Sequence, residues 1–233
     1  MKRPLALIRD VHAATDRHTE QLVREVTALG AAPPPCRAGC AWCCSEPVYA
    51  VRDEARLIAV VIRRMPPERQ AEIRAAVRGW VERFATSALA SEVAPDVVAY
   101  RRLRLPCPLL TADQRCSVYA DRPSGCRLHL AASDPDACED LARRGGQQFL
   151  RRQRPCVDLV MPLLERGAVE TDHLALLLHR ELFGEGPQSA AHFVADLADS
   201  PAGRNGGASG PPGGGIGPHP ARAAGVAPAR VAG

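Results

Sequence analysis

With 233 residues, 46% of them apolar and 24% charged, the chain is long enough for one domain and an extended tail. Its net charge of +4 is mild, and Lys2 is the only lysine. No nucleic-acid partner is expected, because Arg101-Arg102-Leu103-Arg104 and Arg151-Arg152-Gln153-Arg154 lack the interleaved aromatics of a nucleic-acid face.

Aromatic residues make up only 4%, so Leu, Val, Ile and Ala must build the core. The opening apolar run, Leu5-Ala6-Leu7-Ile8, is too short for a secretory signal. No stretch approaches the roughly eighteen apolar residues of a membrane span. A cytoplasmic location without membrane attachment is the expectation. There thiols stay reduced, and nine cysteines point to metal or redox chemistry before disulfides.

In chain order, Leu5, Ile8, Val11, Leu22, Val26 and Leu29 predict an amphipathic helix over 5–29, stopped at Gly30 and by Pro33-Pro34-Pro35. His12 and His18 are six residues apart, so they do not share a helix face as a ligand pair and read as surface or packing residues. Pro47 to Val51 reads as a brief strand or extended lead-in. Asp53-Glu54 then opens a helix with negative charge at its positive end. Leu57, Ile58, Val61 and Ile62 form its buried stripe, and Pro66-Pro67 breaks it. A second helix carries Ile73, Val77, Trp80, Val81 and Phe84 on one side. A shorter one runs from Pro95 to about Leu103.

Residues 106–130 are rich in turn formers, a helix is expected over 134–141, and two more over 155–184. The resulting fold class is mainly α, written as all-α: a small helical bundle with irregular cysteine-rich loops. Residues 1–184 are expected to form the domain. Residues 185–233 are rich in Gly, Pro and Ala and are expected to be disordered.

Four cysteines crowd into Cys36-x3-Cys40-x2-Cys43-Cys44, and three more follow at Cys107, Cys116 and Cys126. Short spacings let two sulfurs reach one ion while the intervening amides face the thiolates, and two such half-sites complete a tetrahedral set. Adjacent cysteines do not readily chelate one ion together, so Cys43 and Cys44 are expected to serve different centres. Cys138 or Cys156 is a candidate eighth thiolate, and His129 is an alternative ligand. Zinc and an iron–sulfur cluster both suit such soft ligands. The Cys36-x3-Cys40-x2-Cys43 spacing also occurs in radical S-adenosylmethionine enzymes. The strand–helix alternation of their barrel is missing here.

These cysteines, with Cys107-Pro-Leu-Leu and Cys116-Ser-Val-Tyr119-Ala-Asp-Arg122-Pro123-Ser-Gly-Cys126-Arg127, resemble the YkgJ-type cysteine cluster proteins over residues 36–127. That family is named for a CxxCxxCC motif, and the first spacing here is one residue longer. The resemblance implies a zinc- or iron-chelating domain. It extends to flagellin lysine N-methylases, so an S-adenosylmethionine-dependent protein N-methylase is one alternative function. A metal-handling or protein-interaction module is another. Beside the thiolates, Arg122 and Arg127 are expected either to offset their negative charge or to form ordinary salt bridges, and Tyr119 to lend its hydroxyl.

Overall fold

The computed structural model describes residues 4–34, 36–90, 97–131 and 170–184, together with Cys138, Asp158 and Met161. The expected helix over 134–141 apart from Cys138, most of 155–169, the start of the helix at Pro95 and the tail 185–233 lie outside the described residues. Within them the chain is mainly helical, with α1 (Pro4–Ala28), α2 (Arg52–Ile62), α3 (Pro67–Ala85), α4 (Val97–Arg102), α5 (Ser124–Arg127) and α6 (Leu174–Phe183). None of the described helices is long and apolar enough to cross a membrane.

The predicted stripe of α1 holds at Ile8, Val11 and Leu22, which are buried, but Leu29 is 86% exposed. It falls in the turn that ends the helix. There Gly30 N–H donates to the Thr27 carbonyl and Ala31 N–H to that of Val26, so the chain leaves the helix axis before Leu29 can reach the core. Helices α2 and α3 follow the sequence closely. Leu57, Ile58 and Ile62 on α2, and Ile73, Val77, Trp80, Val81 and Phe84 on α3, are all buried. Pro67 stands in the first turn of α3, where its missing N–H costs nothing.

α6 lies against both α2 and α3, and α1 lies against α2 and α5. Leu174, Leu177 and Leu178 fill the centre between α2 and α3, and Leu109 and Val118 from the cysteine-bearing loops close it. The mainly α expectation holds, with one short sheet added. Tyr49–Val51 (β1) pairs antiparallel with Thr171–His173 (β2), with Tyr49 opposite His173 and Val51 opposite Thr171. Strands of three residues carry no readable alternation, which is why β2 left no trace in the sequence.

β2 delivers His173 into an aromatic enclosure made by Tyr49, Trp80, Phe84 and Tyr100, whose ring centroids stand 4.9–5.3 Å from its own. The imidazole is 4% exposed, and burial lowers its pKa from 6.5 to about 4. A base whose folded pKa is depressed stabilises the fold above its ordinary pKa and loses that contribution as the pH falls. The shift corresponds to about 3 kcal/mol, present above pH 6.5 and gone near pH 4. Denaturant midpoints measured between these pH values should fall in the native chain and fall less in His173→Phe.

Candidate metal centre

The first cysteine group hangs between the proline run and β1. Cys40 N–H donates to the Arg37 carbonyl at 3.0 Å, closing a turn whose third residue, Gly39, has φ +90°. That backbone conformation strains any side-chain-bearing residue, so the glycine sets the path between Cys36 and Cys40. Trp42–Ser45 then forms a single 3-10 turn that carries the adjacent pair Cys43 and Cys44.

The second group rests on a tight hairpin. Leu110 and Cys116 form an isolated antiparallel bridge, and Ser117 N–H donates to the Leu109 carbonyl at 2.9 Å. This brings Cys107 and Cys116 together against the main core. Cys126 comes from α5, a four-residue helix that the sequence disguised as loop. The two groups are joined directly, because Cys107 N–H donates to the Cys44 carbonyl at 2.7 Å.

All seven sulfur-bearing residues, Cys36, Cys40, Cys43, Cys44, Cys107, Cys116 and Cys126, line one cavity of about 220 Å³, with His129 on the same wall. None of the eight described cysteines is in a disulfide. Cys138 is described but does not line this cavity, and Cys156 lies outside the described residues. Among the described residues, no group of three or more His, Cys, Asp or Glu side chains is drawn in closely enough to hold an ion as it stands.

Backbone amides already face several of the sulfurs. Those of Trp42, Leu109 and Val118 hydrogen-bond to Cys40, Cys107 and Cys116, each two residues earlier, and the amide of Ala131 reaches Cys36 Sγ at 3.2 Å. Such donors stabilise thiolate over thiol, but burial outweighs them. Burial raises the pKa of Cys36, Cys40 and Cys116, and it raises those of Cys107 and Cys126 furthest of these. Cys43 is raised first by its hydrogen bond with Cys44 and then by burial. Thiolate repulsion adds to the effect, and Cys43 contributes to it at Cys36, Cys40, Cys107, Cys116 and Cys126 alike. Cys43 thus acts electrically on members of both groups.

This donor set fits a thiophilic cation. Metal charge offsets the mutual repulsion of buried thiolates, while amide donors hold their remaining lone pairs.

The flanking residues divide as follows. Arg122 lowers the pKa of Cys116 and Cys126 by its charge, as expected for a cation beside thiolates. Its guanidinium lies 4.1 Å from the Tyr119 ring centroid. Tyr119 is 40% exposed, and the contacts that involve it here are its ring and its carbonyl, which accepts from Arg122 at 2.9 Å. Arg127 is 3% exposed and pairs with Asp16 of α1 while donating to the Arg122 and Ala120 carbonyls, so its main part is to tie the loop to α1. His129 Nε2 stands 3.7 Å from a carboxylate oxygen of Glu46.

Sequence reasoning missed Glu54. Read as a helix-initiating charge, it is 3% exposed and accepts four hydrogen bonds: from His12 Nε2–H at 3.0 Å, Val51 N–H at 3.2 Å, and the Ser124 N–H and Oγ–H at 2.7 Å each. Burial pushes its carboxyl up, but these donors outweigh that and leave its pKa below the usual carboxylate value. Only the Val51 bond had a sequence signal, since a Glu three residues into a helix commonly reaches back to the capping amide.

A family model named CxxCxxCC, described as "Putative zinc- or iron-chelating domain", matches residues 35–157. No curated protein and no solved structure matches the chain.

Proposed function

Since the chain belongs to the CxxCxxCC family of zinc- or iron-chelating domains, we propose that its two cysteine groups hold a common metal centre, either zinc or an iron–sulfur cluster. The supporting observation is that seven cysteines from loops some sixty residues apart line a single cavity. Cys43, Cys107, Cys116 and Cys126 form the mutually repelling set around which the centre is built, and Cys36, Cys40 and Cys44 complete the thiolate wall. His129, which lines the same cavity, is the non-sulfur candidate ligand, and Arg122 offsets part of the negative charge. When bound, the metal supplies a positive charge and a cross-link between loops that lack a disulfide.

Residues 1–184 constitute the metal domain in this reading, and the unbridged thiols among its described residues suit the reducing cytoplasm. Chelation accounts for the cavity better than methyl transfer does. At about 220 Å³ it is smaller than the roughly 300–1,000 Å³ of typical small-molecule sites.

Anaerobic purification with metal analysis and a visible spectrum tests the proposal. Stoichiometric zinc in a colourless protein, or iron and sulfide in a brown one, is the expected result. Purified protein that holds neither and acquires neither on reconstitution would refute it.

A further inference from the structure

Cys126 is carried by α5, whose four residues are too few to hold a helical turn by themselves. Pro123 precedes it and makes no side-chain cap. The turn is fixed from outside instead. Glu54 of α2 takes both the backbone N–H and the hydroxyl of Ser124, while Arg127 at the other end is held by Asp16. The same carboxylate is anchored by His12 of α1 and by the Val51 amide, so it joins four elements within hydrogen-bonding distance.

A carboxylate is costly to bury, and capping α2 through the Val51 amide uses only one of the four hydrogen bonds that Glu54 accepts. The burial makes sense only for the partners that Glu54 gathers. Two of its four bonds go to the residue two positions before Cys126.

We propose that Glu54 is the positioning residue for Cys126, holding Ser124 so that the α5 turn presents the sulfur to the shared cavity. The proposal rests on the metal-chelating reading for its consequence but not for its geometry, and the two are tested separately.

In the full-length protein titrated with cobalt(II), Glu54→Ala should weaken binding about ten- to a hundredfold, as loss of outer-shell support typically does. It should also remove the same share of the thiolate-to-cobalt absorption as Cys126→Ser. Adding Glu54→Ala to Cys126→Ser should cost little more, because both act through one sulfur. Glu54→Gln retains an acceptor oxygen for Ser124 and should restore most of the binding. Unchanged affinity and spectrum in Glu54→Ala, or losses that simply add to those of Cys126→Ser, would overturn the assignment.

A second measurement needs no metal. In metal-free protein, Ser124→Ala (the milder change if Glu54→Ala does not fold) should speed iodoacetamide alkylation at Cys126 selectively over Cys36 and Cys40. Equal change at all three, or none at Cys126, would overturn it. If wild-type protein binds no cobalt while Ser124→Ala still speeds alkylation selectively at Cys126, the chelation reading fails and the positioning role stands.

Discussion

Cys43→Ser is expected to cost the protein both its metal and much of its cooperative stability. Cys43 is the cysteine whose charge acts on members of both groups, and it also lines a second cavity together with Cys126. A structural zinc contributes about 10–16 kcal/mol of binding free energy at neutral pH, comparable with the entire net stability of an ordinary domain at about 5–15 kcal/mol. Losing even a third of the zinc's contribution, at about 2–4 °C per kcal/mol for a chain of this size, lowers the melting temperature by about 7–20 °C. Cys138→Ser is the matched control, since Cys138 does not line the cavity. Metal analysis and thermal melts of the two variants side by side should separate them: metal and melting temperature lost together in one, both kept in the other. Metal retained in full by Cys43→Ser would remove it from the ligand set.

Metal uptake should release several protons and strengthen steeply with pH. Burial holds the Cys107 and Cys126 thiols well above the ordinary range, and Cys43 is raised by Cys44 and by burial. At neutral pH these groups are protonated before uptake and must be thiolates after it. Each ligated thiol then releases about one proton, and the apparent affinity rises about tenfold per pH unit for each. Calorimetric titration with zinc in buffers of different ionisation enthalpy counts these protons, and about three to four are expected near pH 7. The stability of the metal-free protein should run the opposite way. A thiol whose folded pKa is raised supports the fold below its ordinary pKa and loses that support as the pH climbs toward the folded value. Metal-free protein should therefore weaken from about pH 8.5 upward, while the loaded protein, already in the thiolate form, should not.

The helices were legible where burial follows a period of about 3.6 residues. Ile73, Val77, Trp80, Val81 and Phe84 mark α3 in the sequence as plainly as in the fold. Proline and glycine fixed the breaks at Gly30 and Pro66-Pro67 for steric reasons that act within a few residues. The cysteines were legible because clustering so close has few physical explanations besides a shared ligand. What could not be read was anything that depends on distant partners. Glu54 and Ser124 are seventy residues apart, and nothing local distinguishes a carboxylate that caps a helix from one that gathers four donors inside the protein. The α5 helix has the same origin, since its turn formers describe a loop and only contacts with α1 and α2 wind it. β2 is three residues long, and its pairing with β1 depends on backbone bonds across more than a hundred intervening positions. Arg122 and Arg127 were equivalent in the sequence. Both reach Asp16, Arg122 at 3.8 Å and Arg127 by a closer contact. What distinguishes them is that Arg122 also lies where its charge reaches Cys116 and Cys126, while Arg127 is buried against the Arg122 and Ala120 carbonyls.

Residue-by-residue alkylation, read by peptide mass spectrometry with and without metal, tests the shared centre most directly. Cys43 from the first group and Cys107, Cys116 and Cys126 from the second should be shielded together in loaded protein and should become reactive together once a chelator removes the ion. Shielding confined to one group, with the other equally reactive in both states, would contradict a centre common to the two.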